Sequence, residues 1–437
     1  MHHLLKLILK ILAKRAILRY KPIVIGITGS VGKTTTKEAV FAVLSRKFWV
    51  RKNEKNYNNE FGVPMAVLGI DPAKLQNNRF GKASRLDLAR LAARRVNYKL
   101  QTFCHALWLV YGWPEQKYPK ALVLELAADR PGDIEYFVDI VRPQVGIVTA
   151  VGEVPVHIEF YASPQEVANE KYELIRSLPP DGLAVLNYDD QTVLDMKEKS
   201  KAKVITFGFS NLANLWISDI SYFAVEDNKN IGGLSFKINY ASSFIPVRIS
   251  GIIGQHQLYG VLAAVAVGIN FGMNLVDISA ALERIEVPRG RMNLLAGIKN
   301  SAIINDTYNA SPLSTHAALD TLRDFAKARE ALGIKGRRIA VLGDMRELGK
   351  YEIEAHRSIG KIAAERCDVL ITVGAAAKFI ADSAAKQMSK ENIMSFNTSD
   401  EAKSKVQEII QEGDIVLVKG SRSMKMEKIV EEIKKIG

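Results

Sequence analysis

The chain has 437 residues, of which 48% are hydrophobic and 24% charged, a globular composition that excludes disordered, collagen-like and low-complexity proteins. Its net charge of +13 is uneven, because residues 1–120 carry +17 and the remainder carries −4. A basic first quarter favours an anionic partner, such as lipid head groups, nucleic acid or a polyphosphate substrate, although a solvated charged face is the alternative.

The first 21 residues predict a basic amphipathic helix. Lys6, Lys10 and Lys14 recur every four residues and therefore share one helical face. Apolar side chains cover much of the remaining surface: Leu4, Leu5, Ile8, Leu9, Ile11 and Leu12. The lysines interrupt the apolar run and no small-residue cleavage site follows, which argues against a spanning helix or a signal peptide. Such a helix lies either on a membrane surface or against its own protein, and the pattern leaves both open.

From Pro22 onward the pattern predicts an α/β fold. A strand over Ile23–Thr28 leads through a glycine loop into a helix from about Thr34 to Arg46. Further strands are predicted within 121–128, 145–151, 183–189 and 203–209, and helical patterns separate several of them, as in parallel βαβ units. Residues 215–250 predict an antiparallel patch and residues 260–272 a buried helix.

A second α/β set begins near Arg289, with strands predicted in AIINDTY, RIAVLGDM, DVLITVG and DIVLVKGS. We therefore predict a central domain over 22–288 with a mostly parallel sheet, followed by a Rossmann-like α/β domain over 289–437. A basic and aromatic insertion over 77–118 interrupts the central domain. It forms either a second membrane contact or a partner for the N-terminal helix.

The segment Gly26–Thr35 reads GITGSVGKTT, after a strand and at the start of a helix. This context is typical of a phosphate-binding loop, whose backbone N–H groups and helix N-terminus face phosphate oxygens. Lys33 would reach the β- and γ-phosphates, and the Thr34 hydroxyl would bind Mg²⁺. The residues expected to hold the nucleotide are Gly29, Ser30, Val31, Gly32, Lys33, Thr34 and Thr35. We expect ATP and Mg²⁺ as cofactors of this central P-loop ATPase domain.

Several further motifs follow the loop in order: NYNNEFGVP (56–64), LELAADRPGDI (124–134), HIEF (157–160), NEKYELI (169–175), GRM (290–292), NDTYNASP (305–312), VLGDMRELG (341–349) and KGSRSMKMEKIV (419–430). Together with the loop they resemble the Mur ligase family, which makes the peptide bonds of peptidoglycan precursors in cell wall biogenesis. The resemblance covers roughly residues 22–437. The last three motifs look most like the branch that joins D-alanyl-D-alanine to a UDP-N-acetylmuramoyl tripeptide.

The resemblance implies an ATP-dependent carboxylate–amine ligase. ATP phosphorylates a substrate carboxylate, and an amine attacks the acyl phosphate to give an amide, ADP and phosphate. The partners implied are a muramyl-peptide acceptor and D-alanyl-D-alanine. The resemblance also implies that Glu125, His157 and a carbamylated Lys171 join Thr34 as ligands of two Mg²⁺ ions, for which hard oxygen donors are suited.

The remaining site residues also follow from the resemblance. Arg291 matches an arginine at the γ-phosphate, and Asp306 matches an acid that holds the ribose. Gln257 stands where the family usually has the asparagine of an adenine-binding Gly-x-His-Asn segment. The catalytic set is then Lys33, Lys171, His157 and Arg291. Asn58 and Asn59 match a segment facing the carboxylate substrate, and the residues expected on the amine side, each alternatively a loop cap, are Asp344, Lys419, Ser421 and Arg422.

The N-terminal segment separates this sequence from that branch, whose members have a whole domain before the phosphate loop that holds the UDP group. Only about 21 residues precede the loop domain here, so we expect that domain to be lacking. Two alternatives follow: a ligase acting on another amino acid, or one acting on a lipid-linked acceptor at the inner face of the membrane.

Two functions from other classes would also use features of this sequence. A nucleic-acid-binding P-loop ATPase would use the basic first quarter and show DNA- or RNA-stimulated hydrolysis. No aromatic–basic recognition module accompanies that charge, so we expect no nucleic acid. A degenerate ligase kept as a scaffold disagrees with the intact Lys33, Glu125 and Lys171. The chain has only two cysteines, Cys104 and Cys367, which lie far apart in sequence and cannot make a disulfide framework; this favours the cytoplasm. We expect a monomer.

Overall fold

The computed structural model describes residues 2–54, 57–71, 104, 106–112, 117–225 and 230–435. Most of the predicted insertion over 77–118 therefore lies outside the described residues. Two sheets organise the chain, a large one before residue 251 and a smaller one after residue 292. The predicted α/β class, with a mostly parallel central sheet and a second C-terminal sheet, is confirmed.

The first part contains, in chain order, α1 (His2–Tyr20), β1 (Ile23–Thr28), α2 (Lys33–Leu44), β2 (Val50–Lys52), α3 (Gly62–Leu68), β3 (Ala121–Glu125), α4 (Asp133–Val141), β4 (Val145–Val148), α5 (Pro164–Arg176), β5 (Leu183–Asn187), α6 (Gln191–Leu194), β6 (Lys203–Gly208), β7 (Leu215–Val225), β8 (Asn230–Tyr240), β9 (Ser243–Ser250), α7 (Leu258–Asn270) and α8 (Leu275–Leu282). The strand order is β2-β3-β1-β4-β5-β6-β7-β8-β9. Strands β2 to β7 pair in parallel, whereas β7, β8 and β9 form an antiparallel extension, as predicted for residues 215–250.

Strand β1 is central to the large sheet, with β3 on one side and β4 on the other. Its register pairs Ile27 with Glu125 on β3 and with Ile147 on β4. In parallel sheets, ligands bind beyond the carboxyl ends of the strands where the chain order reverses. The loop after β1 lies at such a point, so the sheet directs the ends of β1, β3 and β4 toward one site.

The two faces of the large sheet are covered by helices, which explains the continuous apolar runs of its strands. Ile25 and Ile27 belong to a core that includes α2 and the largely apolar helix α7. Val24 faces the other way, into a second core that includes α1, α3 and α4. Because successive strand residues point to opposite faces, one six-residue strand contributes to both cores.

The second part contains β10 (Asn293–Ala296), β11 (Ala302–Asp306), α9 (Pro312–Ala331), β12 (Arg338–Gly343), α10 (Glu352–Arg366), β13 (Val369–Val373), α11 (Lys378–Ala384), β14 (Ile393–Phe396), α12 (Ser399–Ile409), β15 (Ile415–Lys419) and α13 (Glu427–Ile433). The strand order is β10-β11-β15-β12-β13-β14, and only β10 runs antiparallel to its neighbour. Strands β11 and β15 end side by side, with Asp306 opposite Lys419. The four strands predicted for this part are present. The sequence did not predict β2, β10 and β14, which are three or four residues long and lie at sheet edges.

Helix α1 packs on its own protein. Leu9, Leu12, Ala13, Ala16 and Ile17 are buried in the core shared with α3 and α4. The lysine face predicted for a membrane contact also lies along the protein, since Lys10 and Lys14 pair with Asp139 of α4 at 3.0 Å and 2.6 Å. Among the described residues, none of the helices is both long and apolar enough to cross a membrane.

Candidate active site

The phosphate loop connects β1 to α2 through two glycines with positive φ. Gly29 has φ 142° and Gly32 has φ 88°, angles that side chains disfavour. A Cβ on Gly29 would lie 2.0 Å from the Thr149 hydroxyl oxygen. That hydroxyl, just beyond β4, donates to the Val31 carbonyl at 2.5 Å, so the loop is held against the neighbouring strand end. Thr149 was not predicted, because its role depends on the β1–β4 pairing.

The charged and polar groups of the loop are oriented inward. The Lys33 ammonium donates to the Gly29 carbonyl at 2.6 Å, and burial lowers the pKa of this lysine below its ordinary value. The Ser30 hydroxyl oxygen is buried and has no hydrogen-bond partner among the described residues. Unsatisfied buried polar atoms are uncommon in folded proteins. This loop therefore has donor capacity suited to an anionic ligand.

Glu125, the last residue of β3, connects the loop to Asn53 and Asn58. Its carboxylate accepts from the Thr34 hydroxyl at 3.1 Å and from the Asn58 amide at 3.0 Å. The carboxylate is only 3% exposed and lies 3.8 Å from the buried ammonium of Lys37. The predicted residues Thr34, Glu125 and Asn58 are thus brought together.

Two residues that the sequence did not predict hold Glu125 in place. The amide of Asn53 donates to the Glu125 carbonyl, and its oxygen accepts from the Glu125 N–H, at 3.0 Å and 2.9 Å. Lys37 donates to the Asn53 carbonyl at 2.9 Å. Lys37 lies four residues after Lys33 on α2, so helical spacing places both on one side of the helix. This four-residue spacing in the sequence could have identified Lys37 as a site residue.

Lys171 is buried on α5, whose start is fixed by Ser163. The Ser163 hydroxyl accepts the Glu166 N–H, and Pro164 occupies the first helical turn. Lys171 is two turns further along and only 1% exposed. Burial, with the nearby Lys33 charge, lowers the pKa of Lys171 to about 7, against the opposing effect of Asp129. A substantial fraction of this amine is therefore neutral at neutral pH.

His157 lies between the two parts of the chain. Its Nε2 is 3.2 Å from Asp129, and its Nδ1 is 2.8 Å from Glu347, which precedes α10 in the second part. The Glu347 pKa is lowered by this hydrogen bond. Neither carboxylate was predicted, although both lie inside recognised motifs, LELAADRPGDI and VLGDMRELG. His157 thus joins two carboxylates, one from each part of the chain.

Arg291 crosses the same boundary. Its guanidinium lies 3.4 Å from the Thr34 hydroxyl and stacks 4.0 Å from the ring centroid of Tyr308. The positive φ of Gly290 (71°) shapes the turn before it, where the Tyr308 N–H donates to the Gly290 carbonyl. The second part of the chain therefore supplies a cation directly to the phosphate loop.

Asp306 and Lys419, at the ends of β11 and β15, form a buried ion pair. The Lys419 ammonium donates to the Asp306 carboxylate at 2.6 Å and to the Asn309 carbonyl at 2.8 Å. The other Asp306 oxygen accepts the Met292 N–H at 3.2 Å. Lys419, predicted for the amine side, thus lies beside the residue predicted for the ribose.

A cavity of about 940 Å³ lies between the two parts and is lined by the phosphate loop, Arg291, Asp306 and Lys419. Gln257, 4% exposed, accepts the Gly254 N–H at 3.0 Å and donates to the Arg291 carbonyl at 3.4 Å. The adjacent His256 has its pKa lowered to about 4, mainly by burial. The volume and lining suit a nucleotide-sized ligand.

The far wall of this cavity comes from the segment after β5, which the sequence did not predict as part of the site. The Asn187 amide donates to the Thr149 carbonyl at 2.8 Å. Asp189 accepts the Tyr259 hydroxyl at 3.0 Å, and Asp190 accepts the backbone N–H groups of Val151 and Gly152. The polar run NYDD (187–190) at the end of a predicted strand could have identified this segment as part of the site.

The other predicted substrate residues form local contacts. Asn59 accepts the N–H groups of Phe61 and Gly62 and so caps α3. Asp344 is fully buried; it accepts the Ala377 N–H at 2.7 Å and lies 2.9 Å from Arg346.

Ser421 and Arg422 follow β15. Ser421 is buried and accepts the Arg346 N–H at 2.8 Å, whereas the Arg422 side chain is 66% exposed. Arg422 lies 3.7 Å from the carboxylate of Glu427. Of the predicted amine-side residues described here, Arg422 is therefore the one with an accessible charged group.

The donor set can be tested against Mg²⁺, which prefers hard oxygen ligands and retains several waters. Thr34 and Glu125 present a hydroxyl and a carboxylate at one point beside the loop, so two protein oxygens fit such an ion. No group of three or more His, Cys, Asp or Glu side chains with metal-binding geometry occurs among the described residues. A second ion would therefore need an additional oxygen ligand, which carbamylation of Lys171 would create.

Sequence profiles of two known domains match the chain. The Mur ligase middle domain matches residues 113–268, and the Mur ligase glutamate ligase domain matches residues 290–422. The UDP-N-acetylmuramoyl-tripeptide–D-alanyl-D-alanine ligase of Bacillus subtilis is 29% identical over 411 residues, which are 94% of this chain and 75% of that protein. The enzyme of the same name from Mycobacterium bovis is 29% identical over 92% of this chain and 70% of its own.

Solved structures agree with these matches. MurF from Acinetobacter baumannii superimposes with a TM-score of 0.74 and 25% identity, covering 98% of this chain and 80% of that one. MurF ligase from Thermotoga maritima in complex with ADP has a TM-score of 0.74 and 24% identity, covering 97% and 82%. At 24% identity, the likeness to the Thermotoga maritima structure shows a shared fold.

Proposed function

We propose that this chain, which carries the middle and glutamate ligase domains of the Mur ligases, is an ATP-dependent ligase that adds D-alanyl-D-alanine to a UDP-N-acetylmuramoyl tripeptide. The observation that supports this most is the convergence of Thr34, Glu125 and Arg291, since Arg291 comes from the other domain. The domains are taken as 22–288 and 289–437, after an N-terminal segment over 1–21.

The proposed reaction has two steps. A carboxylate oxygen of the acceptor attacks the γ-phosphorus, the bond to the bridging oxygen breaks, and ADP leaves with that electron pair. The amine nitrogen of the dipeptide then attacks the acyl carbon, loses a proton, and expels inorganic phosphate. The products are one amide, one ADP and one phosphate, with ATP as the source of the phosphoryl group.

The first step concentrates negative charge on the transferred phosphoryl group. Lys33 and Arg291 are the cations placed to stabilise it, one from each domain. Thr34 and Glu125 would hold a Mg²⁺ ion. When bound, that ion would offset phosphate charge. Asn58 donates to Glu125 and so orients the Glu125 carboxylate. The acceptor would bind beside Asn58.

The second step needs protection from water, because an acyl phosphate hydrolyses readily. His157 pairs with Asp129 on one side and with Glu347 on the other, which keeps the domains together at the site. Closure of this kind excludes water from reactive intermediates. The dipeptide would enter from the C-terminal domain, near the exposed guanidinium of Arg422.

Lys171 has the properties that carbamylation requires. A neutral amine attacks carbon dioxide and, after losing a proton, becomes a carbamate anion. Burial has already lowered the pKa of Lys171 to about 7, and the positive charge of Lys33 nearby favours an anion there. The carbamate would supply the additional oxygen ligand for a second Mg²⁺.

The test is a ligation assay with purified full-length protein, ATP and Mg²⁺. UDP-N-acetylmuramoyl tripeptide and D-alanyl-D-alanine are supplied separately and together, and phosphate release is measured alongside mass spectrometry of the products. We expect phosphate release above background only with both substrates, together with a muramyl pentapeptide. The exposed-lysine variant Lys201→Ala should match wild type, whereas Lys33→Ala should be inactive.

Two further arms separate the rival functions. In the first arm, a lipid-linked muramyl tripeptide replaces the UDP-linked one, with D-alanyl-D-alanine still present. Ligation of the lipid-linked acceptor but not of the UDP-linked one would show that the carrier of the tripeptide is a lipid. DNA or RNA replaces both substrates in the second arm. Hydrolysis stimulated by nucleic acid, without ligation, would contradict the proposal.

A further inference from the structure

Helix α1 has two apolar faces rather than one. The first, already described, is buried against α3 and α4. The second is formed by large apolar side chains that remain exposed by 63%, 53%, 43% and 48%: Leu4, Leu7, Ile11 and Leu18. At 100° per residue these four positions fall within an arc of about 60° on the side opposite the buried face. The helix therefore presents an apolar stripe to solvent, which is densest over Leu4, Leu7 and Ile11 and resumes at Leu18.

Cationic side chains border this stripe on both sides. Lys10 and Lys14 lie along one edge, where Asp139 pairs with them. Arg15 and Arg19 lie along the other edge. The segment His2–Tyr20 has no acidic residue. An apolar stripe flanked by Lys and Arg is the pattern of a helix that lies in the plane of a membrane interface.

A neighbouring segment adds aromatic side chains to the same surface. Residues 106–111 are helical, and Trp108 and Tyr111, three positions apart, are 51% and 55% exposed. Arg15 donates to the Tyr111 hydroxyl and lies 5.2 Å from its ring centroid. Arg19 donates to the Val110 and Gly112 carbonyls at 2.6 Å and 2.7 Å. The segment is thereby fixed beside the stripe, and Trp and Tyr are the residues enriched at membrane interfaces.

We propose that this docking face, formed by Leu4, Leu7, Ile11, Leu18, Trp108 and Tyr111, seats on an anionic lipid bilayer with α1 parallel to the surface. The apolar side chains would enter the head-group boundary, and the bordering cations, of which Lys10 and Lys14 share the one carboxylate of Asp139, would give this surface a net positive charge facing the lipid phosphates. A second copy of the chain is a poorer occupant, because a twofold contact would bring the cationic borders of both copies together. The inference concerns α1 and residues 106–111, so it does not depend on the ligase reaction.

The test uses the full-length protein and vesicles of two compositions: phosphatidylcholine alone, and phosphatidylcholine mixed with phosphatidylglycerol. Co-sedimentation should occur with the anionic vesicles and weaken as salt increases. The double variant Leu7→Glu/Ile11→Glu should reduce the partition coefficient by about tenfold or more. The matched control is Val276→Glu, because Val276 is 69% exposed on α8, and this variant should bind as wild type does.

Two measurements keep the result independent of folding. The melting temperature of each variant, and its ligation rate without vesicles, should equal those of wild type, since the altered side chains are exposed. If the double variant fails to fold, Leu7→Ser/Ile11→Ser replaces it with the same expected direction. Trp108 fluorescence should shift to shorter wavelength with anionic vesicles, and Trp108→Phe should remove that change.

Three outcomes would overturn the proposal. The first is that wild-type protein does not sediment with anionic vesicles. The second is that the folded glutamate double variant sediments as wild type does. The third is that light scattering shows a wild-type dimer and a monomeric double variant, while neither protein binds vesicles. The face would then join two copies of the chain.

Discussion

The Arg291 guanidinium lies 3.4 Å from the Thr34 hydroxyl, although 257 positions separate the two residues in sequence. Thr34 lies in the first turn of α2, after the phosphate loop, and Arg291 follows α8 at the start of the second part of the chain. The contact therefore exists only when the two domains are together. It links the position of one domain to the charge available at the nucleotide site of the other.

Replacing Arg291 should therefore affect turnover more than nucleotide binding. For Arg291→Lys we expect kcat to fall by roughly 10²–10³-fold, because an ammonium cannot reproduce the stacked, planar guanidinium beside the transferred group. The dissociation constant for ATP, measured by titration calorimetry, should change by much less. Arg289→Lys, an exposed position two residues away, is the control. Equal loss of ATP binding and turnover would contradict a role specific to phosphoryl transfer.

Glu125 should determine the Mg²⁺ requirement. Glu125→Gln keeps the size of the side chain but removes the negative charge that would hold the cation. We expect the half-saturating Mg²⁺ concentration to rise by about tenfold or more, with partial recovery of activity at high Mg²⁺. Glu135→Gln, exposed on α4, should leave the titration unchanged. An unaltered Mg²⁺ titration in Glu125→Gln would exclude Glu125 as a ligand.

Lys171 should incorporate carbon dioxide. Its pKa of about 7 leaves a neutral amine available at neutral pH, and a carbamate forms only from that species. Protein equilibrated with isotopically labelled bicarbonate should show a carbamate resonance by NMR, and Lys171→Arg should lack it. The matched variant Lys37→Arg should retain the resonance, provided that thermal melting shows it to be folded. A resonance that persists in Lys171→Arg would assign the carbamate elsewhere.

Lys419 and Asp306 should stabilise the fold as a pair. Lys419→Met leaves a buried carboxylate without its cation, which we expect to reduce the free energy of unfolding by about 3–5 kcal/mol. Adding Asp306→Asn should recover part of that loss, because the charge left unpaired is then removed. Denaturant unfolding of both single variants and the double variant measures the coupling. Strictly additive losses would show that the two side chains do not act as a pair.

Contiguous motifs made much of the site predictable. The run from Gly29 to Thr35 carries its own backbone requirements, so the loop could be recognised without any knowledge of the sheet. Thr149 and Asn53 could not, since their contacts depend on which strands pair and in what register. Glu347 reaches His157 only across the domain boundary, a relationship that no local pattern contains.

The N-terminal helix shows the same limit from another direction. The spacing of its lysines predicted a helix with one lysine face. Its apolar residues are more numerous than one buried face needs, so the sequence did not show which of them are buried. Only the packing of Leu9 and Ile17 against the protein reveals that Leu7 and Ile11 form a separate, exposed face. Short edge strands such as β10 were also missed, because four residues give too little periodicity to identify.

The most direct test of the ligase mechanism follows the acceptor's carboxylate oxygen. The muramyl tripeptide is labelled with heavy oxygen in the carboxylate that reacts, and the phosphate released during ligation is examined by mass spectrometry. An acyl-phosphate intermediate transfers one labelled oxygen to each phosphate, because the bond between acyl carbon and oxygen breaks when the amine attacks. We expect one labelled oxygen per phosphate formed with the pentapeptide. Phosphate without label would contradict the mechanism.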